Sequence, residues 1–137
     1  MSILTAAIFN KLAGDPTLVG LLASYNGEPA IFTIDPAPGD ATLPYIVTAG
    51  EASQSPWDTK TTLGRSLVRD VRCYAEADGS VITIEAIAER VRELLHRQTL
   101  MIAGFQWVIS SCDGPIVADE SGAYGRIISL SLWAQEV

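Results

Sequence analysis

The sequence predicts an α+β fold: a mixed, mostly antiparallel sheet with an N-terminal helix and one main amphipathic helix packed on one face. Three observations predict it. Ser80–Arg97 repeats apolar residues at helical spacing. Ser66–Ala75, Phe105–Ser111 and Arg126–Trp133 alternate with the period of two that a pleated strand imposes. Leu4, Ile8 and Leu12 form an i, i+4, i+8 stripe near the N-terminus.

From the N-terminus, Ser2 suits a helix cap and the stripe extends the helix to about Ala13. The start MSILTAAIFNKLAGD does not read as a signal peptide, because its early charge, Lys11, falls where the apolar region should be. Gly14-Asp15-Pro16 ends this helix and begins another turn, with Asp15 as N-cap and Pro16 at N1. Val19, Leu21 and Leu22 pack inward, and Asn26-Gly27 marks a turn. Ala30–Ile34 reads as a short strand. Asp35–Asp40, with two prolines, excludes regular structure. Pro44 suits the first residue of a strand running from about Tyr45 to Ala49.

Gly50–Gly64 (GEASQSPWDTKTTLG) is expected to be a long polar loop whose ends can extend the flanking strands into a hairpin. Trp57 stands out in it. It either folds back to cap the core or anchors a partner surface, since Trp is enriched at binding hot spots. In the following strand Leu67, Val71, Cys73 and Ala75 face one way, and Val68, Asp70, Arg72 and Tyr74 the other. Asp78-Gly79 turns the chain and Ser80 caps the main helix. Val81, Ile84, Ile87, Ala88, Val91, Leu94 and Leu95 share its apolar side; Glu85, Glu89, Arg92, Glu93 and His96 share the polar side. Cys112-Asp113-Gly114-Pro115 is expected to break the next strand, and Asp119–Gly122 to be a link. In the last strand Ile128, Leu130 and Leu132 face the core.

The chain has 137 residues, 48% of them apolar, and reads as a single domain over 1–137 with one core. There is no apolar run long enough for a membrane span. Sixteen acids against nine bases give a net charge of −7. That disfavours binding to a nucleic-acid backbone, which needs a basic stripe to displace counterions. Cys73 and Cys112 lie in strand runs and are most simply buried free thiols in a reducing compartment; a disulfide between them is the alternative. No Cys/His spacing supports a metal, and no cofactor motif is present.

Reactive chemistry is sparse. His96 is the single histidine, and its place on the polar helix face predicts a solvated side chain beside Arg92. Asp113 and Asp119 lie in turn-like segments where Asp is common for backbone reasons. Arg65 and Arg69 share one strand parity, Asp70 and Arg72 the other. They either pair across strands on a wet face or reach acids on a neighbouring subunit. A chain that spends its residues on shape in this way reads as a building block, not an enzyme.

The order of elements carries a resemblance. A short N-terminal helix and a proline-rich link precede Leu43-Pro44-Tyr45-Ile46. A polar loop with Thr59-Lys60-Thr61-Thr62 leads into the long alternating strand. The helical set Ile84/Ile87/Val91/Leu94/Leu95, the segment Leu100-Met101-Ile102 and a closing strand with Arg126 and Ile128 follow. Over nearly its whole length the chain resembles the tail-completion, or tail-terminator, proteins of long-tailed phages, their prophages and phage-derived gene transfer agents. The resemblance implies a ring, usually a homohexamer, that caps the tail tube and joins it to the head connector, with DNA passing through unbound. It implies the tail tube protein and a connector or stopper protein as partners, no membrane, and a place in the virion after assembly in the host cytoplasm. It brings no catalytic residues. The candidate interface residues are Trp57, Asp58, Lys60, Thr61, Arg65, Arg69, Tyr74 and Tyr124. A head-side stopper or adaptor role and a small-molecule-binding or enzymatic α+β domain are the alternatives.

Overall fold

The computed structural model describes residues 2–34, 37–48, 51–60, 63–98, 100, 102–120 and 122–136. Helix α1 (Ser2–Ala13) buries the whole Leu4/Ile8/Leu12 stripe. The one-turn helix α2 (Pro16–Val19) starts as its sequence dictates. Asp15 accepts the Leu18 N–H at 2.9 Å, and Pro16 sits where a missing N–H costs nothing. Leu18 supplies the fully buried side chain of this turn, with Leu21 and Leu22 half-buried beside it. Strands β1 (Ser24–Tyr25) and β2 (Glu28–Pro29) form a hairpin over Asn26 and Gly27, both at positive φ, as a two-residue turn of this kind requires.

The main sheet has six strands: β3 (Ile31–Phe32), β4 (Tyr45–Val47), β5 (Glu51–Pro56), β6 (Gly64–Glu76), β7 (Phe105–Val117) and β8 (Ala123–Glu136). Their order is β3-β4-β6-β8-β7, with β5 also on β6. Among the described residues the short β3–β4 pair is parallel and the other pairings are antiparallel. β4 and β5 both pair antiparallel with β6, β4 from Tyr45↔Tyr74 to Val47↔Arg72 and β5 from Glu51↔Arg69 to Pro56↔Arg65, so β5 and β6 make an antiparallel arm.

Helix α3 (Ile82–Leu95) lies on the face of the sheet that α1 also covers. Ile84, Ile87, Ala88, Val91 and Leu95 are buried against Leu67, Val71 and Cys73 of β6 and Ile128, Leu130 and Leu132 of β8. These are the helix face and strand parities that the spacing predicts. Val81, not Ser80, stands at the N-cap, so the helix begins one residue later than a Ser80 cap implies and Val81 is left exposed; Ser80 Oγ still accepts the Ile82 N–H at 3.4 Å.

Within the polar stretch 50–64, Glu51–Pro56 takes the hairpin alternative to a loop: it is a strand paired to β6, with a register shift between Glu51 and Ser53. Its weak intrinsic preference is overridden by the template that β6 offers. Asp113-Gly114-Pro115 does not end β7. The chain absorbs it as a bulge between Asp113 and Ile116, with Gly114 at φ 100°, and Ile116 and Val117 continue the same strand. A bulge is where a residue without an N–H fits into a ladder.

One ion pair ties the helical layer together. Arg90 of α3 forks onto Asp15, with Nε to Oδ2 at 2.8 Å and Nη2 to Oδ1 at 2.7 Å. These bonds, and the Leu18 N–H, hold the Asp15 carboxyl at about 2, below its usual 3.8, against the opposing pull of burial. A lowered folded-state pKa means the contribution is complete above about pH 4 and fades as pH falls towards 2. Asp15→Asn keeps a capping oxygen and loses the charge. Its melting temperature is expected to fall below wild type at pH 7, with the gap closing between pH 4 and pH 2. A gap independent of pH in thermal melts would refute this assignment.

Candidate interface surface

The far end of the β5–β6 arm is built tightly. Trp57 N–H donates to the Gly64 carbonyl at 2.9 Å, and Gly64 N–H donates to Asp58 Oδ1 at 3.0 Å. A Cβ at Gly64 would lie 2.5 Å from the Trp57 carbonyl oxygen and 2.8 Å from that of Ala134, so only glycine permits this closure. Glu136 N–H donates to the Leu63 carbonyl at 2.8 Å, and Glu136 pairs with Arg65 at 3.6 Å. On this fixed backbone Trp57 is 41% and Leu63 60% exposed. Leu63 lines a groove of about 290 Å³ with Pro56, Asp58 and Arg65. Asp58, Thr59 and Lys60 are exposed beside them; Thr61 lies outside the described residues.

The structure separates the remaining candidates from this tip. Arg69 is 2% exposed and its Nη2 donates to Thr5 Oγ1 at 2.8 Å, beneath α1. Its odd-numbered parity with Leu67 and Val71 puts it on the covered face, so it is a strut between helix and sheet and is not presented at the surface. Tyr74 is buried too. It ends an aromatic series, Tyr25–Phe32–Tyr45–Tyr74, with centroids 5.2, 5.7 and 5.5 Å apart, the first two contacts edge-on and the last tilted. Its hydroxyl donates to Glu120 Oε1 at 3.3 Å, and burial, then the Glu120 charge, pushes its pKa up. Tyr124 is half-buried against the main core.

The opposite end of β6 carries a second surface. A cavity of about 200 Å³ is lined by Leu43, Pro44, Ala75, Glu76, Asp78 and Thr83. Ile82 beside it is 77% exposed. Val117, 63% exposed, is the cross-strand partner of Arg126, which is held by Asp119 at 3.2 Å and Glu85 at 4.0 Å. Acids dominate this end: Glu76, Asp78, Glu85, Asp119 and Glu120.

Polar residues elsewhere serve the fold. His96 is half-buried, not solvated: it follows the last residue of α3, and its Nδ1 accepts the Cys112 N–H at 2.9 Å. Ser110 Oγ donates to the Leu95 carbonyl at 2.7 Å and accepts the Gln98 N–H at 3.2 Å. Together these bonds cover part of the outer edge of β7. Cys73 and Cys112 are free, buried thiols; burial pushes Cys73 up to about 12 and Cys112 up to about 11, so neither forms a thiolate at neutral pH. Among the described residues no group of three or more His, Cys, Asp and Glu is placed to hold a metal, and no helix is long and apolar enough to cross a membrane.

The sequence profile of the family described as tail completion protein gp17 matches residues 6–113. The structure is similar to a chain of the solved virion of a native gene transfer agent particle, with a TM-score of 0.73 and 20% identity, over 97% of this chain and 93% of that one. No curated protein matches the sequence.

Proposed function

The chain belongs to the tail completion protein gp17 family, a structural and non-enzymatic part of a phage tail, and from that premise we propose that it closes the tail as a ring. In this reading the copies form a homohexamer at the end of the tail tube, contact the tube protein on one side and the head connector on the other, and let DNA through the middle. The match over residues 6–113 carries the proposal. The fold shared with a chain of a gene transfer agent virion supports a place at the tail or head–tail junction. The surplus of acids supports passage of DNA without adhesion, since like charge repels the phosphate backbone. Trp57, Asp58, Lys60 and Arg65 sit together at the arm tip and are the proposed contact residues of the ring.

Electron microscopy of particles made without this protein tests the reading, together with purified protein added back to tail tubes. Tails lacking it are expected to be overlong or unjoined to heads, and added protein is expected to appear as a ring at one tube end. Binding to the head connector with no affinity for the tube would instead assign the head-side stopper role.

A further inference from the structure

The two exposed apolar surfaces lie at opposite ends of one strand. Trp57 is bonded to Gly64 at the start of β6, and Glu76 and Ala75 line the cavity at its end. At roughly 3.3 Å per residue those ends are about 40 Å apart. A subunit's own Trp57 therefore cannot reach its own cavity. At about 200 Å³ the cavity is smaller than small-molecule sites, which span roughly 300–1,000 Å³, and suits a single large side chain. Its lining joins apolar side chains (Leu43, Pro44, Ala75), on which an indole ring can lie, to the hydroxyl of Thr83 and the carboxylates of Glu76 and Asp78. The exposed cation Lys60 lies three residues from Trp57.

We propose that Trp57 of one subunit seats in the Leu43/Pro44/Thr83 cavity of the next, with Lys60 facing Glu76 and Asp78 across the joint. This rests on the ring reading above and names its interface. A contact between two different patches is heterologous, and repetition of such a contact closes into a ring when the rotation allows. Trp57 suits the role because its backbone is already bonded to Gly64, so ordering that residue opposes docking little.

Chemical cross-linking on tail tubes tests it, using a short bismaleimide; the native Cys73 and Cys112 are buried. Lys60→Cys/Glu76→Cys subunits are expected to give a covalent ladder ending in one closed species. A mixture of the two single variants is expected to stop at dimers. Adding Trp57→Ala, or filling the cavity with Thr83→Trp, is expected to cut the yield at least tenfold. Lys60→Glu and Glu76→Lys are each expected to block assembly, and their combination to restore it. Rings visible at tube ends without a Lys60→Cys/Glu76→Cys cross-link would overturn this interface and leave the ring reading intact. Absence of rings on every tube would overturn the ring reading itself. Cross-linking of Lys60→Cys only to the tube protein would make the tip a tube contact and also refute the proposal.

Discussion

Ile87→Asp and Val91→Asp each unfold the protein. Both positions are fully buried on the α3 face that meets β6 and β8. The substitution removes apolar burial and places a carboxylate among the apolar side chains of the main core. The charged form is so unfavourable there that the carboxyl either binds a proton at neutral pH or expels the helix from the sheet. The expected loss is at least about 4 kcal/mol, a large part of the roughly 5–15 kcal/mol that holds a domain of this size. Glu89→Ala, on the exposed side of the same helix, is expected to change stability by less than about 0.5 kcal/mol. Circular-dichroism melts decide: equal shifts at Glu89 and Val91 would show that the helix presents a different face.

Trp57→Ala is expected to leave a folded subunit and to give defective particles. The side chain is 41% exposed, and the closure of the arm is made by backbone groups and Asp58, none of which the substitution removes. Its melting temperature is therefore expected to stay near wild type. Truncation of a hot-spot aromatic costs about 2 kcal/mol or more per contact, and a ring repeats that loss at every joint. Overlong tails and free heads are expected in electron micrographs, with infectivity reduced at least a hundredfold. Normal, joined tails would show that the tip makes no contact that assembly needs.

What the sequence discloses depends on how local the cause is. The α1 stripe, the apolar face of α3 and the inward set of β8 follow from spacing alone, and the structure buries those side chains. The Asp15-Pro16 start and the Asn26-Gly27 turn follow from backbone chemistry. Glu51–Pro56 is legible only as an alternative to a loop, because its residues are polar and its strand exists through its pairing with β6. Arg69 shows the opposite error. Its parity already placed it with Leu67 and Val71, yet its charge argues for water, and only Thr5 on α1 explains how it stays inside. Helical phase places His96 in solvent, but it lies beyond the last residue of α3, where that phase no longer applies. Trp57 is visible as an aromatic among polar neighbours. The cavity proposed to receive it is not, since it is assembled from the 43–44, 75–78 and 83 segments.

The last strand to be synthesised among these elements, β8, sits between β6 and β7. Its ladder to β6 joins residues as far apart as Gly64 and Gln135. No stretch ending before Ala123 holds a complete sheet. At ribosomal speeds of roughly 5–20 residues per second, several seconds separate the appearance of β6 from that of its central partner. During that interval Leu67 and Val71 have helices to shelter them but no β8 beside them, and pairings so distant in sequence form slowly. The supply of finished subunits in the infected cell is then set by how the nascent chain survives this wait, and a lower growth temperature or added chaperone capacity should raise it without any change in the native structure.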